Sequence, residues 1–166
     1  IKYHKSFIDK ATDIGIDKFV IHASGEPIEE EDRPKRMACA KNSLYILAEY
    51  AKEKNAIILV EDLPRTCLGR DSSDILDLIS AHPDLRVCFD TNHLLGEDFE
   101  TFINKVGKRI VTTHISDYDF VDERHWMPGE GMIDWQKLYS MLSALSYNGA
   151  WMYELGYIAP PTLKRS

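Results

Sequence analysis

Apolar residues along this chain alternate between two spacings. Phe7, Ile8, Ala11 and Ile14 recur at three and four and are followed by Gly15. That spacing predicts an amphipathic helix from about Lys5 to Asp13 with a glycine stop. Phe19, Val20 and Ile21 then form a compact apolar run leading to His22. A short strand is predicted there, and the Ala-Ser-Gly-Glu-Pro stretch that follows has loop chemistry. Met37, Ala40, Leu44, Leu47, Ala48 and Ala51 return to helical spacing with polar residues between them. One face of that long helix must be buried.

The same alternation continues with short connections. Ile57 to Val60 reads as strand, Ser72 or Ser73 as the cap of a helix through Ile75, Leu78 and Ile79, and Leu85 to Phe89 as the next strand. Phe99, Phe102, Ile103 and Val106 mark a helix, and Ile110 to Thr113 a strand. Asp134 is placed to cap a helix carrying Leu138, Met141, Leu142 and Leu145, and Trp151 to Tyr153 closes the series. Strands that are almost wholly apolar and alternate with helices predict an α/β fold, a parallel sheet covered by helices on its outer face. No linker, repeat or low-complexity segment interrupts residues 1–166, so one domain is expected. Periodicity alone fits both an open doubly wound sheet and most of a closed barrel.

Composition narrows the partners. The 166 residues are 44% hydrophobic and 28% charged, an ordinary globular balance. A formal charge of -7 offers no general attraction to phosphate backbones or anionic lipid, which disfavours nucleic acid as a partner. Cys39, Cys67 and Cys88 are an odd number without a CxxC spacing. They argue against a disulfide framework and a thiolate zinc site, and a reducing, cytoplasmic setting is expected. No apolar run approaches the roughly 20 residues of a spanning helix, so no membrane partner is expected. The chain starts at Ile1 and enters a helical pattern directly, which points to a piece of a longer chain.

The candidate chemistry lies at the strand ends. His22, Glu61, Asp90, His114 and Glu154 each follow an apolar strand run. Carboxyl ends of parallel strands open on one face of an α/β fold, so residues far apart in sequence are delivered to one place. Singly, each has a plainer reading, as a structural histidine, a helix cap or an ion-pair partner. Together, like charges in one low-dielectric pocket are costly unless a cation neutralises them. Two glutamates, an aspartate and an imidazole form a mixed oxygen and nitrogen shell suited to one divalent ion, manganese, magnesium, cobalt or zinc.

At these residues the chain resembles the xylose isomerase-like barrel superfamily of sugar isomerases and epimerases, which includes endonuclease IV. The segments that carry the resemblance are Phe19-Val-Ile-His-Ala-Ser, Leu59-Val-Glu-Asp, Val87-Cys-Phe-Asp-Thr-Asn-His93, Thr113-His-Ile-Ser-Asp117, Pro128-Gly-Glu-Gly131 with Ile133-Asp-Trp135, and Met152-Tyr-Glu154. The resemblance implies a (β/α)8 TIM barrel of which this chain covers the last five βα units. It also implies that Glu61, Asp90, His114 and Glu154 are the metal ligands, and that His93 contacts substrate or a second metal.

The activity so implied is a divalent-metal-dependent sugar or sugar phosphate isomerase or epimerase. Protons move at a carbon next to a carbonyl through a metal-stabilised enediolate, with Glu61 and Glu154 as the catalytic pair. The partner is then a small sugar or hydroxy-carbonyl compound, and a homo-oligomer is compatible. His22, His93, His125 and Trp126 are expected to contact substrate, and Asp117 to orient His114. Glu130 lies in a glycine turn, His4 and His82 read as surface residues, and Arg65 and Arg124 are candidates for pairing with a phosphate. Two other functions are carried as alternatives. One is a zinc phosphodiesterase resembling endonuclease IV, disfavoured by the acidic charge and by Asp122 and His125 being three apart where that pattern has two. The other is a ligand-binding barrel without turnover.

Overall fold

The computed structural model describes residues 1–161; the last five positions of the span expected as one domain lie outside the described residues. Five strands form one parallel sheet in the order β1-β2-β3-β4-β5. They are β1 (Lys18–Ile21), β2 (Ile57–Glu61), β3 (Arg86–Asp90), β4 (Ile110–Ile115) and β5 (Trp151–Tyr153). Each strand pairs with the next in the chain and the order never reverses. A doubly wound sheet reverses at a switch point and carries helices on both faces. A sequential order with right-handed crossovers keeps the helices on one face and curls the sheet into a barrel wall. The curled five-stranded wall settles the choice that spacing left open.

The helices are α1 (Lys2–Thr12), α2 (Arg33–Glu53), α3 (Ser72–Ile79), α4 (Phe99–Val106) and α5 (Trp135–Ala144). Each packs on the next around the wall. The stripe expected on the long helix is buried at Ala40, Leu44, Leu47, Ala48 and Ala51. From Val87 to Asp90, β3 is buried throughout, and Phe89 stacks on Phe102 of α4 with ring centroids 5.1 Å apart. The core therefore lies under β2 to β4, and the site rests on its most deeply buried strands. β1 and β5 are the edges of the sheet among the described residues, and Val20, Met152 and Tyr153 are exposed there.

Some local expectations change. Asp71, rather than Ser72 or Ser73, caps α3, its carboxylate accepting the Asp74 N–H at 2.9 Å. Ser72 is already helical, and its N–H and hydroxyl both donate to Glu97. Asp134 caps α5 as expected, accepting the Lys137 N–H at 3.0 Å. His82 is no surface residue. It is 4% exposed in the turn before β3, with Nε2 against the Glu49 carboxylate and Nδ1 accepting the Asp84 N–H at 3.1 Å. His4 is exposed. All three cysteines are free, and among the described residues no helix is long and apolar enough to cross a membrane.

Candidate metal centre

The register of the parallel strands brings the polar ends into one row. Glu61 pairs with Cys88, Asp90 with His114, and His114 with Met152, two residues before Glu154. Glu61, Asp90, His114 and Glu154 each present a ligand atom within 4.8 Å of the others. His114 Nδ1 is the focus: it lies 2.9 Å from Glu61 Oε1, 2.9 Å from Glu154 Oε2 and 3.8 Å from Asp90 Oδ2. Among the described residues, Asp90 Oδ2 is buried without a hydrogen-bond partner. An orphaned carboxylate oxygen among two further carboxylates is unfavourable unless positive charge arrives, and oxygen with imidazole nitrogen is a donor set that divalent ions accept. These four residues fit a metal ion.

Neighbours fix each group. Asp90 Oδ1 accepts the Asn92 N–H at 2.8 Å, while the Asp90 N–H donates to Asp62 Oδ1 at 2.7 Å. His22 Nε2 is 3.1 Å from Glu61 Oε2. Beyond β5, the Glu154 N–H donates to the Ile115 carbonyl at 3.1 Å and the Gly156 N–H to the His125 carbonyl at 2.7 Å.

Charge follows from these contacts. Burial opposes ionisation of Glu61, but hydrogen bonds to His114 and His22 outweigh it and hold its carboxyl down at about 2. His114 is raised from its ordinary value by its hydrogen bond to Glu61, as is His22. Asp90 has no such hydrogen-bonded cation, and burial pushes it up to about 6. Burial also pushes the Cys88 thiol up, which leaves it a poor ligand although it lies close to Glu61 and His114.

His22, His93 and His125 line one cavity of about 220 Å³ together with Glu61 and Glu154. Trp126 is not among its lining residues. It is buried, with the Arg124 guanidinium 5.9 Å from its ring centre and its main chain paired with Asp117. Asp117 does not hydrogen-bond His114. Its carboxylate accepts the N–H groups of Tyr118, Gly129 and Ile133 and the indole N–H of Trp135, at 2.8 to 3.1 Å. It therefore staples the Pro-Gly-Glu-Gly turn to the strand end. A Cβ on Gly131 would meet Asp117 Oδ1 at 2.3 Å and the Tyr118 carbonyl at 2.4 Å, so only glycine fits. Glu130 serves the same turn, accepting the Met127 N–H at 3.0 Å.

Four further residues shape the site and carry no strand-end signal. Asp62, fully buried, accepts from Asp90 and offers its carbonyl to His93 Nδ1 at 2.7 Å. Asn92 Oδ1 accepts the Arg124 N–H at 3.0 Å and holds the loop that presents His125. Glu123, two residues before His125, is the acid that meets His93 and His125, whereas Asp122 pairs with Arg65. The three-residue spacing from Asp122 to His125 thus does not describe the contact that forms. Arg65 ties Glu26, Asp122 and Glu123 together, and Arg124 pairs with Asp119 at 2.9 Å.

A sequentially wound parallel sheet with a carboxylate and imidazole cluster at its carboxyl ends defines an α/β-barrel protein. The sequence model of one family, the xylose isomerase-like TIM barrel, matches residues 1–164, and the chain belongs to that family. No curated protein matches it. Among solved structures it is similar to a D-tagatose 3-epimerase-like protein, with TM-score 0.76 and 22% identity, covering 90% of this chain and 59% of that one. It is similar to L-ribulose 3-epimerase, with TM-score 0.77 and 19% identity, covering 93% of this chain and 53% of that one. D-psicose 3-epimerase of Clostridium cellulolyticum H10, solved with D-tagatose, gives TM-score 0.80 and 17% identity, covering 97% of this chain and 57% of that one. At these identities the likeness is one of fold, and the chain spans 53% to 59% of those three proteins.

Proposed function

We propose that this chain carries the metal-binding and acid–base portion of a divalent-metal-dependent isomerase or epimerase acting on a sugar or small hydroxy-carbonyl compound. One observation carries the reading: four candidate ligand atoms from four strand ends within 4.8 Å of one another, with the buried Asp90 Oδ2 lacking a hydrogen-bond partner among the described residues. Membership of the xylose isomerase-like family, and a fold shared with proteins described as ketose 3-epimerases, supports the reaction class.

A divalent ion held by Glu61, Asp90, His114 and Glu154 supplies Lewis acidity, which makes the C–H beside a substrate carbonyl easier to ionise. The chain's own residues supply the proton traffic. Glu61 is ionised throughout the physiological range because two imidazoles stabilise its charge. Glu154 faces the same cavity from the sheet edge. A carboxylate on either side of the bound carbon lets one take a proton and the other return one, which isomerisation and epimerisation both require. His22, His93 and His125 line that wall, His93 with both ring nitrogens bonded to the Asp62 carbonyl and the Glu123 carboxylate, so it shapes the pocket through those contacts. With both Arg65 and Arg124 already paired to carboxylates, the reading favours an uncharged sugar over a sugar phosphate.

The test is solvent exchange. Full-length protein is incubated with manganese and a panel of ketoses in deuterated water, and label is sought at the carbon next to the carbonyl. Incorporation with at least one sugar, lost in Glu154→Gln, is expected. Metal binding without label from any sugar would favour a ligand-binding barrel, and zinc-dependent cleavage of abasic DNA would favour the phosphodiesterase.

A further inference from the structure

A second group with the chemistry of a cation site stands beside the first. His93, Glu123 and His125 bring one ligand atom each to within 4.8 Å of one another. Glu123 Oε1 lies 3.2 Å from His93 Nε2 and 3.4 Å from His125 Nε2. Two imidazoles and a carboxylate suit a divalent transition ion. Yet the other oxygen of Glu123 is already taken by the Arg65 guanidinium.

Arg65 spends all of its fork on carboxylates. Nη1 donates to Asp122 Oδ1 at 2.7 Å, Nη2 to Glu26 Oε1 at 2.6 Å and also to Glu123, and Nε to Glu26 Oε1 at 2.9 Å. Three acidic side chains, from the loop after β1 and the loop after β4, therefore converge on one group from the loop after β2. Without a cation between them they would repel one another. A guanidinium is planar, permanently charged and rich in donors, so it serves three carboxylates where a lysine ammonium could not. The backbone of Arg65 sits at φ 52°, a left-handed conformation that a residue with a side chain adopts rarely. Outliers of this kind persist where the surroundings hold them in place, and they cluster at functional sites.

We infer that Arg65 takes the place of a second divalent cation, neutralising Glu123 and closing the His93, Glu123 and His125 group to metal, so that the protein holds one ion at the four-ligand cluster. The inference rests on the proposed function only for that first ion. The effect of freeing Glu123 is read as a difference between proteins.

The experiment is zinc titration by calorimetry of full-length protein, with metal content measured after gel filtration. Wild type is expected to bind one ion per chain and Arg65→Gln two. The added ion is expected to disappear in the Arg65→Gln, Glu123→Gln double variant. A wild type that binds two ions, the second lost in Glu123→Gln, overturns the inference. So does an Arg65→Gln protein that folds and gains nothing. A wild type that binds none while Arg65→Gln binds one supports the role of Arg65 and sinks the four-ligand reading instead. Should Arg65→Gln not fold, Arg65→Lys carries the same comparison. A single ammonium cannot span three carboxylates, so a second, weaker ion is expected there, and its absence overturns the inference.

Discussion

Glu61 and Glu154 end strands of the same sheet and lean on the same His114 nitrogen, but the sheet treats them differently. Glu61 closes the inner strand β2 and is 1% exposed, with hydrogen bonds from two imidazoles. Glu154 follows the edge strand β5, is 51% exposed, and is held mainly through its main chain. Asp90 is buried like Glu61 and His22 is exposed like Glu154, β3 being an inner strand and β1 an outer one among the described residues. Among the described residues, the inner strands thus carry the buried charges and the two outer strands the more exposed ones.

Four measurements bear on that contrast. The largest effect is expected on proton exchange: Glu61→Gln and Glu154→Gln should each lose on the order of 1000-fold in rate, as removal of a positioned acid or base does. Glu154→Gln should nonetheless unfold in denaturant within about 0.5 kcal/mol of wild type. Unchanged turnover would take Glu154 out of the chemistry. Next is stability. Phe89→Ala in β3 should cost about 3 kcal/mol in chemical denaturation, because it empties a buried stack on Phe102, while Met152→Ala in β5 should change little. Equal costs at the two positions would erase the distinction between centre and edge.

Metal affinity follows. Asp90→Asn is expected to weaken manganese binding on the order of 100-fold and Glu154→Gln about 10-fold, read by calorimetry. A reversed order would mean that the exposed ligand, and not the buried one, anchors the ion. The smallest effect is pH. Protons and metal compete for the same atoms, and Asp90 ionises at about 6 while His114 is raised from its ordinary value. Affinity should therefore begin to fall above pH 6.5 as His114 takes up its proton, and more steeply below about 6 as Asp90 follows, roughly tenfold per unit for each proton displaced. Asp90→Asn should flatten part of that slope. A wild-type curve that stays level from pH 7 to 5 would contradict the raised ionisation of Asp90.

The strand ends were legible because an apolar run that stops at a histidine or carboxylate is a local signal, and parallel pairing converts it into a shared location. That logic singles out Glu61, Asp90, His114 and Glu154, which the structure gathers within 4.8 Å of one another, as spacing singles out the buried stripe of α2. It could not rank sheet against barrel, since winding order is a property of pairing. Nor can it find Asp62 or Glu123, or assign Arg65 its carboxylate partners, since those contacts are chosen by how the loops fold back. Asp71 does not stand out as a cap for a different reason: two serines follow it, and cap preference does not separate the three. His82 reads as a surface residue from sequence because nothing local marks the Glu49 carboxylate that its Nε2 meets.

The staple at Asp117 has a consequence for the metal-free protein. One carboxylate gathers three amides and an indole from a long excursion, and none of those bonds involves the four-ligand cluster. The wall that carries His125 is therefore built by the polypeptide, and chelation should leave it standing. Amide protons at Tyr118, Gly129 and Ile133 should exchange as slowly in excess chelator as in excess manganese, so the apoprotein is a vessel with its rim already shaped.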